Sequence, residues 1–166
     1  FLLYAMEQDA SSNFEISATA TVNAMVENTS VSGYGQISFG AICLDKVVID
    51  ANTKETYDYV SAGAVKYSTS STDANTGETT TSKAFLTFVR NTEDNSLSSD
   101  IKEVYNPKAG DVIPVKIKKV GDVFTVTYGD YTATYEKKME GSVYYGFYVT
   151  RLGEVEFSNI SYNNEV

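Results

Sequence analysis

Apolar and polar residues alternate with a period of two along most of the chain. In Asn13–Val26, Phe14, Ile16, Ala18, Ala20 and Val22 take one face, and Glu15, Ser17, Thr19 and Thr21 take the other. A strand sends successive side chains to opposite faces, whereas a helix would scatter both sets. The segment therefore predicts a half-buried strand. Tyr34–Leu44 repeats the pattern, with Ile37, Phe39, Ala41 and Cys43 on one side and Gln36, Ser38 and Gly40 on the other. Phe1–Met6, Lys46–Asp50, Asp58–Tyr67, Lys83–Arg90 and Asp111–Val120 are further strand candidates, as are Val143–Thr150 and Glu154–Ile160. Gly121-Asp122 and Gly129-Asp130 divide Asp111–Glu136 into three short strands. Gly in first position supplies the positive φ of a two-residue hairpin turn, so a meander is expected there. No segment reads as a helix, and there is no internal repeat.

About ten to twelve strands without helices in one domain predict an all-β fold, a two-sheet antiparallel β-sandwich or jelly roll spanning residues 1–166. Its expected core holds Phe14, Ile16, Val22, Phe39, Phe147, Val149 and Phe157. Ser68–Ser82 breaks the pattern, since ten of its fifteen residues are Ser or Thr. Having little apolar surface to offset its ordering entropy, it is expected to be a long flexible loop.

Composition agrees with the pattern. Val, Ile, Thr, Tyr and Phe supply 65 of the 166 residues and Leu only 6, a balance that suits pleated sheets over helices. There is no His, which excludes a Ser-His-Asp triad and His-ligated zinc; the single Cys43 excludes an internal disulfide and a multi-cysteine metal site. The net charge of −9 argues against nucleic acid and anionic membrane as partners. No apolar run approaches the roughly 20 residues of a spanning helix. The chain begins at Phe1 and has no signal-peptide pattern, so it reads as a mature or excised module.

Several stretches taken in order resemble a known group: FEISATATV at 14–22, QISFG at 36–40, DYVSAG at 58–63, VYYGFYVTR at 143–151 and VEFSNI at 155–160. They are similar to the concanavalin A-like (laminin-G-like) jelly rolls of bacterial secreted polysaccharide-degrading proteins, in particular the modules attached to pectate lyases. The resemblance implies two curved antiparallel sheets, a secreted, extracellular setting and a polysaccharide or oligosaccharide partner. The chain is also expected to be a monomeric module within a larger chain. The resemblance brings no short catalytic signature with it. The run Cys43-Leu44-Asp45-Lys46 departs from the Arg and paired acids often found there.

The candidate chemistry is that of sugar binding. Catalytic members of this fold carry a Glu-x-Asp-x-x-Glu strand that sets two carboxylates on one face. Here only Glu154-Val155-Glu156 comes near, and it reads more simply as a charged edge that resists edge-to-edge pairing. An enzyme is therefore not expected. Sugar rings pack their C–H faces on aromatic rings, and with no Trp among the residues Tyr must serve. Tyr144, Gly146 and Tyr148 form an aromatic–Gly–aromatic row on one face of their strand, a suitable ligand floor; cross-strand packing is its plainer explanation. Gln36 begins a polar row with Ser38 and Gly40. Arg90 could clamp a carboxylate bidentately or make a surface ion pair. Lys116 and Lys118 share a face and could meet uronate carboxylates or simply line a solvated sheet. No cofactor is expected. A structural calcium is possible without identifiable ligands, because no Asp-x-Asp-x-Asp-Gly loop occurs. Exposure of Tyr144 and Tyr148 would favour a binding module; their burial would favour a structural or protein-interaction spacer.

Overall fold

The computed structural model describes residues 2–25, 34–45, 59–90, 97–102, 108–151 and 153–166. Eleven strands and no helix occur among them: β1 (Leu2–Asp9), β2 (Phe14–Met25), β3 (Tyr34–Leu44), β4 (Tyr59–Thr72), β5 (Thr79–Arg90), β6 (Leu97–Lys102), β7 (Val112–Val120), β8 (Val123–Tyr128), β9 (Tyr131–Glu136), β10 (Ser142–Arg151) and β11 (Gly153–Asn163). They form two antiparallel sheets. The six-stranded sheet runs β1-β10-β3-β4-β5-β6 and the five-stranded sheet runs β11-β2-β7-β8-β9. The all-β sandwich read from alternation is thus the observed architecture.

The inner faces close on the expected residues. Phe14, Ile16, Val22, Phe39 and Phe147 are fully buried, and Val149 and Phe157 pack against them. Phe14 of β2 and Tyr145 of β10 bridge the sheets as a near-parallel stack, with centroids 4.0 Å apart and planes at 6°. Phe147 meets Phe157 at 5.2 Å. Such pairs add roughly 0.5–1.5 kcal/mol beyond their buried area. The meander is also present: β7, β8 and β9 pair in sequence, with Gly121 and Gly129 both at φ 58° at the first turn positions.

Two expectations need correction. Ser68–Ser82 is not a long loop. Most of it continues β4 and β5 as a hairpin ladder from Ser68↔Lys83 to Thr72↔Thr79, which leaves 73–78 as the turn. The ladder satisfies the backbone polar groups without a hydrophobic face, and Thr suits extended backbone. The Asp73 carboxylate accepts from the Asn75 and Thr76 amides at 2.7 and 3.2 Å, and Gly77 turns the chain at φ 70°. The alternation also missed β6, whose residues Leu-Ser-Ser-Asp-Ile-Lys have no apolar period and which pairs only with β5 at the sheet edge. The strand expected at Lys46–Asp50 lies outside the described residues.

Among the described residues, one inward strand position carries a charge. Lys119 pairs with Phe14 on one side and Phe124 on the other, at an inward position of the five-stranded sheet, and is 1% exposed. Its ammonium donates to the Ala10 carbonyl at 2.6 Å and the Ser12 carbonyl at 3.1 Å, and sits 5.9 Å from the centre of the Phe124 ring. The turn after β1 thereby anchors to β7.

Candidate functional site

The residues singled out by sequence divide between the two sheets. Tyr144 and Tyr148 belong to β10, Gln36 to β3 and Arg90 to β5, all in the six-stranded sheet. Lys116 and Lys118 belong to β7 in the other sheet. The inward faces of both sheets are core, so the outward Tyr row and the outward Lys row cannot line one surface.

Alternation along β10 sends Tyr145 and Phe147 into the core and Tyr144, Gly146 and Tyr148 outward. The ladders carry that outward row across the sheet. Tyr148 pairs with Gly40, which pairs with Gly63; Gly146 pairs with Ile42, which pairs with Ser61; Tyr144 pairs with Leu44, which pairs with Tyr59. Arg90 stands next in this last row as the partner of Tyr59. Gln36 falls in the irregular stretch of the β3–β4 ladder between Tyr34 and Ser38.

The two tyrosines differ in surroundings. Tyr144 is half-buried, and its hydroxyl donates to Glu7 Oε1 at 3.3 Å across the β1–β10 pair. The Glu7 charge holds the phenol above its ordinary value of 10, with loss of solvation adding to this. Tyr148 lies close against the protein at 7% exposure. Ser61 was not singled out by sequence. Between the core residues Val60 and Ala62 it points outward from the sandwich interior, yet it is fully buried and its hydroxyl has no hydrogen-bond partner. A buried hydroxyl without a partner costs about 1–3 kcal/mol. Nothing in the DYVSAG stretch distinguishes it from any other polar strand position.

The lysine face has a different character. Lys118 pairs with Glu15 and Thr125, and Lys116 with Ser17 and Thr127. The Lys116 ammonium lies 4.0 Å from Glu15 Oε2, with its side chain 41% exposed. Lys116 is thus partly solvated and ion-paired across the β2–β7 ladder. Glu154 and Glu156 are both exposed on β11, an edge strand of the five-stranded sheet, where charge discourages pairing with another chain. Among the described residues no group of three His, Cys, Asp or Glu side chains is placed to hold a metal ion. Cys43 is buried against Met139, Sγ to Sδ 4.0 Å, and burial pushes its thiol up to about 12. It is the small core residue that its alternation implies.

No family model matches the chain, and no curated protein matches it. Solved structures do match in fold. Chicken galectin 2 aligns with a TM-score of 0.54 at 13% identity, over 98% of this chain and all of its own. The marine PL7 alginate lyase AlyA1 from Zobellia galactanivorans aligns with a TM-score of 0.55 at 14% identity, over 96% of this chain and 65% of the lyase. A functionally unknown protein from Saccharomyces cerevisiae aligns at 0.56 and 12% identity, over 98% of this chain and 74% of its own. These likenesses define the class by fold alone: the chain has the two-sheet jelly-roll sandwich fold, as expected from the concanavalin A-like resemblance. None of the three is a pectate lyase module, so that narrower resemblance has no support from them.

Proposed function

We propose that this chain is a non-catalytic carbohydrate-binding module of a secreted bacterial polysaccharide-degrading protein, binding plant cell-wall glycan, with pectin a candidate. The ligand lies on the outward face of the six-stranded sheet. The observation that carries this reading is the Tyr144 ring, outward on the six-stranded sheet and only half-buried. Such a ring takes the apolar C–H face of a sugar, and its phenol can donate to or accept from sugar hydroxyls. Gly40 and Gly63, next to Tyr148 in the ladder, have no side chain to block a ring there. AlyA1 is an alginate lyase by name; carried to this chain, that supports a polysaccharide over other ligands. Catalysis is disfavoured because Glu154 and Glu156 have no third acid on their strand.

A second reading, a structural or protein-interaction sandwich without a glycan site, is favoured by one observation, the burial of Tyr148. Affinity electrophoresis against plant cell-wall polysaccharides, pectins included, separates the two. Weak binding that survives added salt and is lost in Tyr144→Ala/Tyr148→Ala supports stacking. Binding that falls with salt points to Lys116, Lys118 or Arg90 holding carboxylates. Retention of full affinity by a folded double variant moves the site off this face, and no binding by the parent protein selects the spacer.

A further inference from the structure

The Tyr144 ring has a charged neighbour that bears on which sugars it takes. Glu7 of β1 and Tyr144 of β10 are ladder partners, so both side chains stand on the outward side of the six-stranded sheet. Glu7 is exposed, and its Oε1 accepts from the Tyr144 hydroxyl at 3.3 Å. The Glu7 charge also holds the phenol above its ordinary value, so the hydroxyl keeps its proton. With that donor engaged, the pair offers an incoming molecule acceptors: the phenol lone pairs and the carboxylate oxygens. Asp9, two residues along β1 and paired with Ser142, adds a second carboxylate at this end of the sheet, accepting from the Ser11 amide and hydroxyl at 2.8 and 2.6 Å. The candidate cations stand elsewhere. Lys116 and Lys118 belong to the other sheet. Lys138, in the segment before β10, is ion-paired with Glu140 at 3.2 Å. Arg90 follows Tyr144 in the ladder only by way of Leu44 and Tyr59. Three strand spacings amount to roughly 14 Å, beyond the Debye length of about 8 Å at physiological ionic strength.

We propose that the Tyr144–Glu7 pair selects neutral, hydroxyl-bearing glycan segments and rejects uronate carboxylates. The inference rests on the glycan-binding reading of this face. A neutral sugar lies against the Tyr144 ring and donates a hydroxyl to Glu7 or to the phenol oxygen. A uronate carboxylate only accepts, so it has no proton for either group. It also meets the Glu7 charge at close range, and like charges about 5 Å apart at a half-solvated surface weaken binding on the order of tenfold. The net charge of −9 acts in the same direction. Within pectin, the pair selects stretches whose carboxyl groups are esterified.

The test uses two pairs of probes, the members of each differing in charge. One pair is homogalacturonan with full and with no methyl esterification. The other is a soluble β-glucan before and after oxidation of its primary alcohols to carboxylates. Affinity electrophoresis is run at low and high salt on the parent protein, Glu7→Gln and Tyr144→Ala, with folding checked by circular dichroism. Glu7→Gln removes the charge and keeps an acceptor for the phenol. At low salt the parent should bind the neutral member about tenfold more tightly than its charged counterpart. That ratio should fall to about threefold or less in Glu7→Gln, and should shrink in the parent as salt rises. Tyr144→Ala should lose retardation by the neutral members. A parent that binds the charged members as tightly as the neutral ones, or more so, overturns the selection and leaves the glycan-binding reading standing. A preference that Glu7→Gln leaves unchanged overturns the role of Glu7. Retardation of the parent by neither member of either pair, or full retardation of a folded Tyr144→Ala, refutes the glycan-binding reading of this face and the inference with it.

Discussion

Replacing Lys119 by Met tests whether the buried ammonium stabilises the fold or burdens it. Met keeps most of the apolar stem and removes the charge and both hydrogen bonds, those to the Ala10 carbonyl at 2.6 Å and the Ser12 carbonyl at 3.1 Å. Ala10 is buried, so its carbonyl loses its donor in a place water reaches poorly; Ser12 is half-buried and recovers part of its loss. An orphaned buried acceptor costs about 1–3 kcal/mol, and bonds to a charged donor stand at the upper end. The opposing term is relief of the desolvation penalty on the ammonium. Two carbonyls and the Phe124 ring already replace most of its hydration, so that relief is the smaller quantity. The net expectation is about 2 kcal/mol of destabilisation for Lys119→Met. Lys119→Ala should cost about 2 kcal/mol more through the lost stem. Urea unfolding followed by circular dichroism measures both. With a slope of about 2 kcal/mol per molar, the Met variant should unfold about 1 M earlier at unchanged slope. A Met variant as stable as the parent, or more so, refutes the reasoning and makes the ammonium a net cost to the fold.

Further outcomes follow from the same geometry. Because burial raises the Cys43 thiol to about 12 from 9.0, the native state keeps its proton between those values while the unfolded chain loses it. The stability this group contributes is complete below about pH 9 and drains above it by about 1.4 kcal/mol per pH unit. Parent protein should lose stability faster than Cys43→Ala between pH 9 and 11, and equal slopes would count against the burial argument. Glu7→Gln should lower the Tyr144 phenol pKa toward 10, read by NMR of ring-labelled tyrosine, because the Glu7 charge is the main cause of its elevation. Asp73→Ala removes the bonds that hold the hairpin turn, so amides at 69–72 and 79–82 should exchange faster while the global urea midpoint hardly moves. Phe147→Ala deletes a ring packed on Phe157 and Tyr162 and should cost about 3–5 kcal/mol by urea unfolding, far more than any surface change above.

Alternation alone settled which residues face inward. Strict alternation in β2, β3, β7 and β10 leaves one solution for Phe14, Ile16, Phe39, Ile117 and Phe147, because a one-residue slip would turn every apolar side chain to water. The two Gly-Asp steps likewise set the meander, since positive φ at the first turn position asks for Gly. Tertiary structure decided what alternation does not encode. The Ser/Thr tract became a hairpin because backbone pairing needs a partner strand and no apolar face, and β6 formed on a paired edge for the same reason. The candidate residues separated because alternation assigns a side chain to a face of its own strand but not a strand to a sheet. Only the ladders put Tyr144 and Tyr148 in one sheet and Lys116 and Lys118 in the other. Burial without partnership at Ser61, and burial with two carbonyl partners at Lys119, are properties of neighbours distant in the chain, such as Ala10, 109 positions from Lys119. A local pattern holds no record of what packs over a residue, so these two positions became legible only once the sheets were assembled.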